Sequence, residues 1–319
     1  MAAVDTRTAG PFAGRTLIIV NPFAGHDDAM RVRRRLGAAF AGRDMPFDIA
    51  QTECAGHATE LARTAVERGY ARVAVCGGDG TLAEAATGLA GTTTPLGLIP
   101  LGTANQVAQN LGIPLDLDDA VHVIAVGHTT TIDVGRIDDR IFALCAGAGF
   151  DAAVMQSATR ELKERWGFGA YVYAAMKEAL AAAPCRFRIV ADDRELEVDA
   201  VSVLVANVGE LFTGWLPFRL PLAPQPGSGW NDGLFDVVIV APQRVPDLAA
   251  ILWHAAQRRF TNSDVLVHFE AARTSVDAAP PIAVQVDGDP AGTTPISMHV
   301  MREALSVIVP APAATSLRA

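Results

Sequence analysis

The chain has 319 residues, half of them apolar and only 19% charged, and its formal net charge at pH 7 is -9. This length exceeds the roughly 250–300 residues at which a single hydrophobic core stops growing, so two domains are expected. The negative charge argues against nucleic acid as a partner and against general adhesion to anionic membranes. The four cysteines are scattered without Cys-x-x-Cys spacing, which indicates reduced thiols and neither a disulfide framework nor a zinc site.

The first 130 residues alternate short β-branched runs with helical patterns, which is the order of a doubly wound parallel sheet. Ligands bind such sheets at the carboxyl ends of the strands. Three glycine-bearing loops, at 21–25, 77–81 and 100–103, each follow a predicted strand, and we expect them to converge at one edge. The predicted strands are 17–20, 47–52, 73–76 and 96–99, and the predicted helices are 29–41, 57–69, 82–90, 104–111 and 117–125.

From about residue 131 the predicted strands come in pairs, with Asp138-Asp139 and Asp192-Asp193 as hairpin turn signals. The strands are 131–137, 140–146, 186–191, 196–206, 234–240, 265–270, 282–286 and 305–309, and a helix is predicted at 169–183. The fold class is therefore α/β, with an N-terminal doubly wound nucleotide-binding domain and a C-terminal, mainly antiparallel β-sandwich domain. We expect 1–130 in the first domain, with 300–319 packing back onto it, and 131–299 in the second.

Targeting segments are not expected. The N-terminus lacks the apolar run of a signal peptide. No stretch approaches the roughly 18 apolar residues of a membrane-spanning helix. We therefore expect a cytoplasmic protein that meets any membrane from the water side.

The run Gly77-Gly78-Asp79-Gly80-Thr81 follows a buried strand and precedes a helix. Glycines let the backbone approach a phosphate chain, and the helix N-terminus adds partial positive charge. A carboxylate in such a loop would repel phosphate, so Asp79 is expected to act through Mg²⁺ or by orienting a hydroxyl. The alternative is a tight turn in which Asp79 or Thr81 only caps the helix.

Four sequence blocks, in this order, resemble the diacylglycerol kinase catalytic-domain family, in the bacterial lipid kinase branch that is related to sphingosine and ceramide kinases. The resemblance covers nearly the whole chain, and its second and third blocks together are highly specific. The blocks are Asn21-Pro22-Phe23-Ala24-Gly25, then Gly77 to Glu84 with Gly88-Leu89, then Pro95 to Asn105 with Leu111-Gly112-Ile113-Pro114, and finally Val286-Asp287-Gly288-Asp289.

This resemblance implies a kinase that uses ATP and Mg²⁺, binds ATP between its two domains and phosphorylates a lipid alcohol. By position, it implies a set of nucleotide-contacting residues. They are Asn21, Pro22, Phe23, Ala24, Gly25, Thr52, Gly77, Gly78, Asp79, Gly80, Thr81, Leu82, Ala83, Glu84, Thr103 and Asn105.

Two acidic segments in the second half also resemble the family. Asp287-Gly288-Asp289 resembles an Asp-Gly-Glu segment whose carboxylate activates the lipid hydroxyl, and either Asp287 or Asp289 could take the proton. Asp232-Gly233-Leu234 resembles a site where an Asp side chain and two carbonyls, here those of Gly229 and Leu234, hold a structural Mg²⁺. The same residues would form a turn without a metal.

The chain departs from the family at three charged positions. Gln106 and Gln109 stand where many members have Asp and Arg, and His26 stands where a Lys is common. Glutamine forms hydrogen bonds but cannot neutralise Mg²⁺ or phosphate. Diacylglycerol is thus one candidate acceptor among several lipids. The alternatives are an NAD-kinase-like kinase of a soluble acceptor and a non-catalytic lipid- or nucleotide-binding relative.

Two segments are candidates for transient membrane-surface contact. The apolar, proline-bearing stretch 211–222 either covers the sandwich core or dips into the membrane interface. The arginine cluster at 31–35 is either a solvated helix face or a docking patch for anionic headgroups. The oligomeric state stays open, with a homodimer as one alternative.

Overall fold

The computed structural model of the protein describes residues 12–25, 29–149, 184–207, 210–211, 220–221, 230–241 and 265–311. The chain divides into two compact units, residues 1–132 with 304–319 and residues 133–303. Two strands, β5 (His128–Ile137) and β18 (Ile296–Val309), begin in one unit and end in the other. Within the described residues, no helix is long and apolar enough to cross a membrane.

The first unit contains a parallel sheet with helices, as predicted. Its strand order is β2-β1-β3-β4-β18, and each pair of neighbours is parallel. The elements are β1 (Thr16–Val20), α1 (Ala29–Ala41), β2 (Phe47–Gln51), α2 (His57–Arg68), β3 (Arg72–Gly77), α3 (Asp79–Leu89), β4 (Leu96–Pro100), α4 (Gln106–Asn110) and α5 (Leu117–Val126).

The core of this unit explains why its central strands are nearly continuous apolar runs. Every residue of β1 and β4 is buried, as expected for parallel strands covered on both faces. Ile18 and Ile99 of the sheet pack with Leu36 and Phe40 of α1 and with Val121 of α5. The sheet is thus a packed support for the loops at its carboxyl ends.

The second unit is an antiparallel β-sandwich, also as predicted. One layer has the order β14-β13-β10-β7-β16-β17, and the other contains β9, β8, β15 and the first part of β18. The strands are β6 (Arg140–Phe142), β7 (Cys145–Gly149), β8 (Cys185–Ala191), β9 (Arg194–Ala200), β10 (Ser202–Ala206), β11 (Glu210–Leu211), β12 (Leu220–Pro221), β13 (Phe235–Val240), β14 (Leu266–Ala271), β15 (Arg273–Ala279), β16 (Ala283–Val286) and β17 (Asp289–Thr293).

Aromatic side chains fill the space between these layers. Phe187 on β8 and Phe235 on β13 are fully buried in one cluster with Phe142. The rings of Phe142 and Phe235 stack with centroids 5.4 Å apart. Both predicted turns are confirmed, because Asp138 and Asp192 take the left-handed conformation between paired strands.

Two segments that were each predicted as one continuous strand are each divided into two strands. The run 140–146 is two strands, β6 and β7, and the run 196–206 is also two strands, β9 and β10. In each case the second strand joins the six-stranded layer, whereas the first pairs elsewhere. No proline or glycine lies between the two members of either pair, so the apolar pattern continued through both corners.

Two further strands were missed. They are β15 and β17, in addition to the two-residue strands β11 and β12, which were also not predicted. Strand β17 contains a proline and a glycine, which are uncommon inside strands but tolerated at a sheet edge. The predicted helix at 169–183 lies outside the described residues.

Two helical glycines make a testable contrast. A Cβ added at Gly88 of α3 would lie 2.5 Å from the Thr59 carbonyl oxygen and 2.7 Å from Ala62 Cβ, both on α2. We expect Gly88→Ala to lower the free energy of unfolding by about 1–3 kcal/mol through overpacking. A Cβ at Gly37 of α1 would lie 3.8 Å from the Phe47 ring, an ordinary contact. Gly37→Ala should therefore stabilise the protein by up to about 1 kcal/mol through helix propensity.

Urea denaturation of both variants measures this contrast. Equal unfolding midpoints would show that the close approach of α2 and α3 at Gly88 does not limit stability.

Candidate active site

The loop after β1 is tied to the start of α3 by one amide side chain. Asn21 Nδ2 donates to Thr81 Oγ1 at 2.9 Å, and Asn21 Oδ1 accepts the Phe23 N–H at 2.9 Å. The first bond joins two loops that are 60 residues apart in sequence, and the second closes a local turn. Pro22 and Ala24 are partly buried in this turn, whereas the Phe23 side chain is 74% exposed.

The three glycine-bearing loops converge as predicted. A Cβ at Gly25 would lie 2.9 Å from the Leu101 carbonyl oxygen, so the first and third loops are in contact. A Cβ at Gly102 would lie 2.6 Å from Gly78 Cα, so the second and third loops are also in contact. A Cβ at Gly25 or Gly102 would overlap the facing backbone, so glycine is required for the close approach of these loops. Gly102 was missing from the predicted site residues, although its loop was identified.

Helix α3 begins earlier than the predicted residue 82. It starts at Asp79, with Gly78 as an extended N-cap, so Asp79, Gly80 and Thr81 form its first turn. The N–H groups of a first helical turn lack partners within the helix, and the helix dipole favours an anion there. Gly77 is the last residue of β3, and a Cβ there would lie 3.0 Å from the Thr81 side chain. Farther along α3, Leu82 is buried and Ala83 is partly buried.

The Asp79 carboxylate holds the start of α4. Asp79 Oδ2 accepts the Gln106 N–H at 3.0 Å, and Asp79 Oδ1 accepts the Val107 N–H at 3.1 Å. The N-cap residue Asn105 provides no side-chain cap, so Asp79 supplies this cap from another helix. Burial raises the pKa of Asp79, and these backbone hydrogen bonds oppose the shift. Asp79 thus caps α4, while its action through Mg²⁺ stays a prediction.

Gln106 and Gln109, which differ from the charged residues common in the family that the motifs resemble, bind the backbone of the third loop. Gln109 Nε2 donates to the Ala104 carbonyl oxygen at 2.7 Å, and Gln106 Nε2 approaches the same oxygen at 3.5 Å. The buried Asn105 lies in the left-handed conformation, and its Nδ2 donates to the Gly102 carbonyl oxygen at 2.7 Å. Neutral amides therefore brace this loop where charged side chains are common in the family that the motifs resemble.

Glu84 plays a similar bracing role for α2. Its Oε2 accepts the Ala58 N–H at 3.1 Å, and its carbonyl oxygen accepts the Thr59 hydroxyl at 2.7 Å. The N-cap Gly56 offers no side chain, so Glu84 caps α2 from α3. Thr52 is buried after β2, and Thr103 is exposed in the third loop. Nucleotide contact by these residues stays a prediction.

In the second unit, the structure distinguishes Asp287 from Asp289. Asp287 lies in the left-handed conformation in the tight turn between β16 and β17. Its carboxylate accepts three backbone N–H groups at 2.9 Å each, from Ala143, Leu144 and Cys145. Asp289 is the first residue of β17 and is exposed. The first carboxylate is held by the fold, whereas the second is exposed to solvent.

The Asp232 segment forms the predicted turn, in which Asp232 Oδ1 accepts the Leu234 N–H at 2.9 Å. Partial burial raises the pKa of Asp232, and the nearby carboxylates of Asp236 and Asp133 raise it further. A cation would relieve this repulsion. However, the described residues include no group of three or more His, Cys, Asp or Glu placed to hold a metal, and Gly229 lies outside them. Metal binding by Asp232 and Leu234 stays a prediction.

Two buried polar residues of this unit were missed as site residues. Asp133 accepts the N–H groups of Gly233 at 2.7 Å and Glu303 at 2.6 Å. Asn207 Nδ2 donates to the carbonyl oxygens of Asp133 at 2.9 Å and Ala143 at 3.1 Å. The Asp133-Val134-Gly135 segment weakly resembles the motifs of the same family and could have indicated a role for Asp133. No sequence signal indicated a role for Asn207. His26 and most of 211–222 lie outside the described residues.

Comparison with known proteins identifies the family. Residues 15–137 match the model described as the diacylglycerol kinase catalytic domain, and residues 145–309 match the YegS C-terminal NAD kinase beta sandwich-like domain. A diacylglycerol kinase of Mycobacterium tuberculosis is 30% identical over 305 residues, covering 93% of this chain and 96% of that protein. The chain belongs to the bacterial diacylglycerol kinase catalytic-domain family.

A second relative and a solved structure are also similar to this chain, the latter in its fold. A diacylglycerol kinase of Bacillus subtilis is 27% identical over 299 residues, covering 93% of this chain and 96% of that protein. A crystal structure of a diacylglycerol kinase from Bacillus anthracis matches the fold with a TM-score of 0.71 at 22% identity, covering 93% and 97% of the two chains. Membership places the chain in a lipid kinase family and supports the prediction that it is a kinase.

The two capping aspartates Asp79 and Asp116 should respond to pH in opposite directions. Asp116 accepts the N–H groups of Asp118 and Asp119 at the start of α5, and these bonds lower its pKa. Its stabilising contribution is present above the unfolded value and is lost as pH falls through the lowered pKa. The contribution of Asp79, whose pKa is raised, is full below the unfolded value and declines as pH rises through the raised pKa.

Urea denaturation between about pH 3 and pH 7 measures this difference. We expect Asp79→Ala to cost about 1–3 kcal/mol at neutral pH through unpaired N–H groups, and to cost more near pH 4. The cost of Asp116→Ala should instead shrink below about pH 4. The same pH trend in both variants would contradict the different environments of the two caps.

Proposed function

We propose that this protein is a Mg²⁺- and ATP-dependent kinase that transfers the γ-phosphate of ATP to the hydroxyl of a lipid, with diacylglycerol as the leading candidate acceptor. One observation supports the part of this proposal that concerns ATP binding. Three loops meet at the N-terminus of α3 with glycines at their closest approach, at Gly25, Gly78 and Gly102. Family membership supports the lipid half.

The ATP phosphates bind, in this proposal, to the backbone N–H groups at the start of α3 and in the neighbouring loops. The glycines fit such a group because a Cβ at Gly78 or Gly102 would meet the facing backbone. Asn21 fixes the first loop against Thr81. Mg²⁺, when bound with ATP, would neutralise phosphate charge that the amides of Gln106 and Gln109 leave unbalanced.

The lipid hydroxyl gives its proton to Asp289 in this proposal. The hydroxyl oxygen then bonds to the γ-phosphorus, the bond from that phosphorus to the bridging oxygen breaks, and ADP leaves. General-base help of this kind requires a carboxylate within hydrogen-bond reach of the hydroxyl. Asp289 is exposed, whereas both oxygens of Asp287 accept backbone N–H groups. This contrast supports Asp289 as the base.

We also propose that Asp232 and the carbonyl oxygen of Leu234 contribute to a structural Mg²⁺ site, with Gly229 as a further carbonyl ligand. The support is the concentration of negative charge, since Asp133 and Asp236 both raise the pKa of Asp232. Carboxylate and carbonyl oxygens are the ligands that this hard cation prefers.

Labelled ATP with Mg²⁺ and a panel of lipid alcohols tests the activity. Phosphorylated product should appear with at least one lipid among diacylglycerol, sphingosine and ceramide presented in mixed micelles. Asp289→Ala should lower kcat by about 10²–10⁴-fold, the usual effect of losing a general base, while ATP binding by calorimetry stays intact. Asp289→Glu restores a carboxylate and should keep activity. Asp193→Ala, at another exposed turn position, is the matched control and should behave like the parent.

Two results would overturn this function. Transfer to NAD but to no lipid would favour the soluble-acceptor alternative, which the NAD kinase beta sandwich-like match over 145–309 keeps open. ATP binding without transfer to any acceptor would identify a non-catalytic relative, in which the replacement of charged residues at 106 and 109 has removed turnover.

A lipid acceptor requires transient, peripheral contact with a membrane surface, and α1 is a candidate for that contact. Helix α1 contains four arginines and no acidic residue. Arg35 pairs with Asp116 and Asp118, whereas none of the described residues forms an ion pair with the exposed Arg33 and Arg34. Each arginine near an anionic bilayer contributes about 1 kcal/mol of attraction.

Sedimentation with phosphatidylglycerol vesicles measures this contact. Arg33→Gln combined with Arg34→Gln should reduce vesicle binding at low salt by about 30-fold, since two such contributions are lost. The matched control is Arg186→Gln combined with Arg188→Gln, because those arginines are already paired with Glu197, Asp199 and Glu195. An equal loss in both double variants would indicate a nonspecific effect of net charge and contradict docking through α1.

A further inference from the structure

The chain turns a buried corner between β6 and β7, at Ala143, Leu144 and Cys145. All three residues are buried, with exposed fractions of 0%, 5% and 7%. Regular pairing stops at Phe142 and resumes at Cys145, where the chain enters the six-stranded layer. Buried N–H and C=O groups at such a corner require partners within the protein.

Two residues far along the sequence, Asp287 and Asn207, supply these hydrogen-bond partners. Asp287 accepts the N–H groups of Ala143, Leu144 and Cys145, and the Asp287 N–H donates to the Cys145 carbonyl oxygen at 2.8 Å. Asn207 donates hydrogen bonds to the other two carbonyl oxygens of the corner. Its Nδ2 donates to Ala143 O at 3.1 Å, and its backbone N–H donates to Leu144 O at 2.8 Å. All six backbone polar groups of the corner are thereby satisfied.

The same turn that contains Asp287 presents Asp289. Val286 pairs with Asp289 across it, and Asp287 and Gly288 both take positive φ values, 49° and 91°. The Gly288 N–H donates to Gln285 Oε1 at 2.7 Å, which closes the turn from the strand side. Asp289 therefore lies two residues after Asp287, which forms four hydrogen bonds with the buried corner at 143–145.

We propose that Asp287 and Asn207 are positioning residues, which hold the β16–β17 turn on the corner at 143–145 and so fix where the Asp289 carboxylate meets the lipid hydroxyl. This inference rests on the proposed function, because Asp289 is taken as the base. Asp287 itself exchanges no proton in the reaction, since its oxygens are occupied by backbone donors. A base held by such contacts keeps the geometry on which proton transfer depends.

Asp287→Asn tests this role with little change in shape. Asparagine tolerates the left-handed conformation, so the turn is retained. Its amide group replaces one acceptor oxygen with a donor, which faces the N–H of Ala143 or those of Leu144 and Cys145. We expect kcat to fall about 10–100-fold, as for a misplacement of about 1 Å, with an unchanged KM for ATP.

The chain provides a closely matched control at Asp192. This residue also has a left-handed conformation in a hairpin turn, and its carboxylate accepts the N–H groups of Ala272 and Arg273 at 3.0 Å each. Asp192→Asn therefore removes a bond of the same kind away from Asp289, and kcat should stay within twofold of the parent. A second variant, Asn207→Ala, should lower kcat as Asp287→Asn does. The double variant should show less than the product of the two effects, because both act on one corner.

Amide hydrogen exchange gives a readout that does not depend on turnover. In Asp287→Asn, the amide protons of Ala143, Leu144 and Cys145 should exchange faster than in the parent. An active parent with an unchanged kcat in Asp287→Asn would overturn the positioning role. Loss of turnover in Asp287→Asn, with activity retained in Asp289→Ala, would instead identify Asp287 as the base and overturn the positioning role too. A parent without transfer to any acceptor would overturn the proposed function itself.

Discussion

A buried backbone N–H group outside regular secondary structure needs a hydrogen-bond acceptor within the protein. In this chain, carboxylates that are distant in sequence supply several of these acceptors. Asp79 caps α4, Glu84 caps α2, Asp287 serves the corner at 143–145, and Asp133 binds the N–H groups of Gly233 and Glu303. Leaving one such buried donor without a partner costs about 1–3 kcal/mol. The helix starts of the first unit and the strand corner of the second unit each depend on such bonds.

This constraint changes how the acidic motif residues are interpreted. A carboxylate within a kinase-like motif suggests a metal ligand or a base, yet Asp79, Glu84 and Asp287 all accept backbone N–H groups. Asp289, which is exposed, differs from them. The support for Asp289 as the base thus comes from its contrast with Asp287 in the same turn and not from the motif alone.

The departures at Gln106 and Gln109 have a structural explanation of the same kind. Their amides bind the Ala104 carbonyl oxygen and brace the third loop without adding charge. The third loop is therefore braced without charged side chains at these two positions. Family membership and loop convergence accordingly support a kinase more strongly than they support a particular lipid acceptor.

Local patterns in the sequence were sufficient to predict the parallel α/β unit, the antiparallel sandwich and the three glycine-bearing loops, because strand periodicity, turn residues and glycine spacing are short-range signals. They were not sufficient for the corner between β6 and β7 or for the roles of Asp79 and Asp287. The partners of these carboxylates lie 27 and 144 residues away, respectively, and no short-range pattern encodes such a pair. Only the tertiary structure decides them, since burial of the backbone at each corner determines which donors need an acceptor and which side chain can reach them.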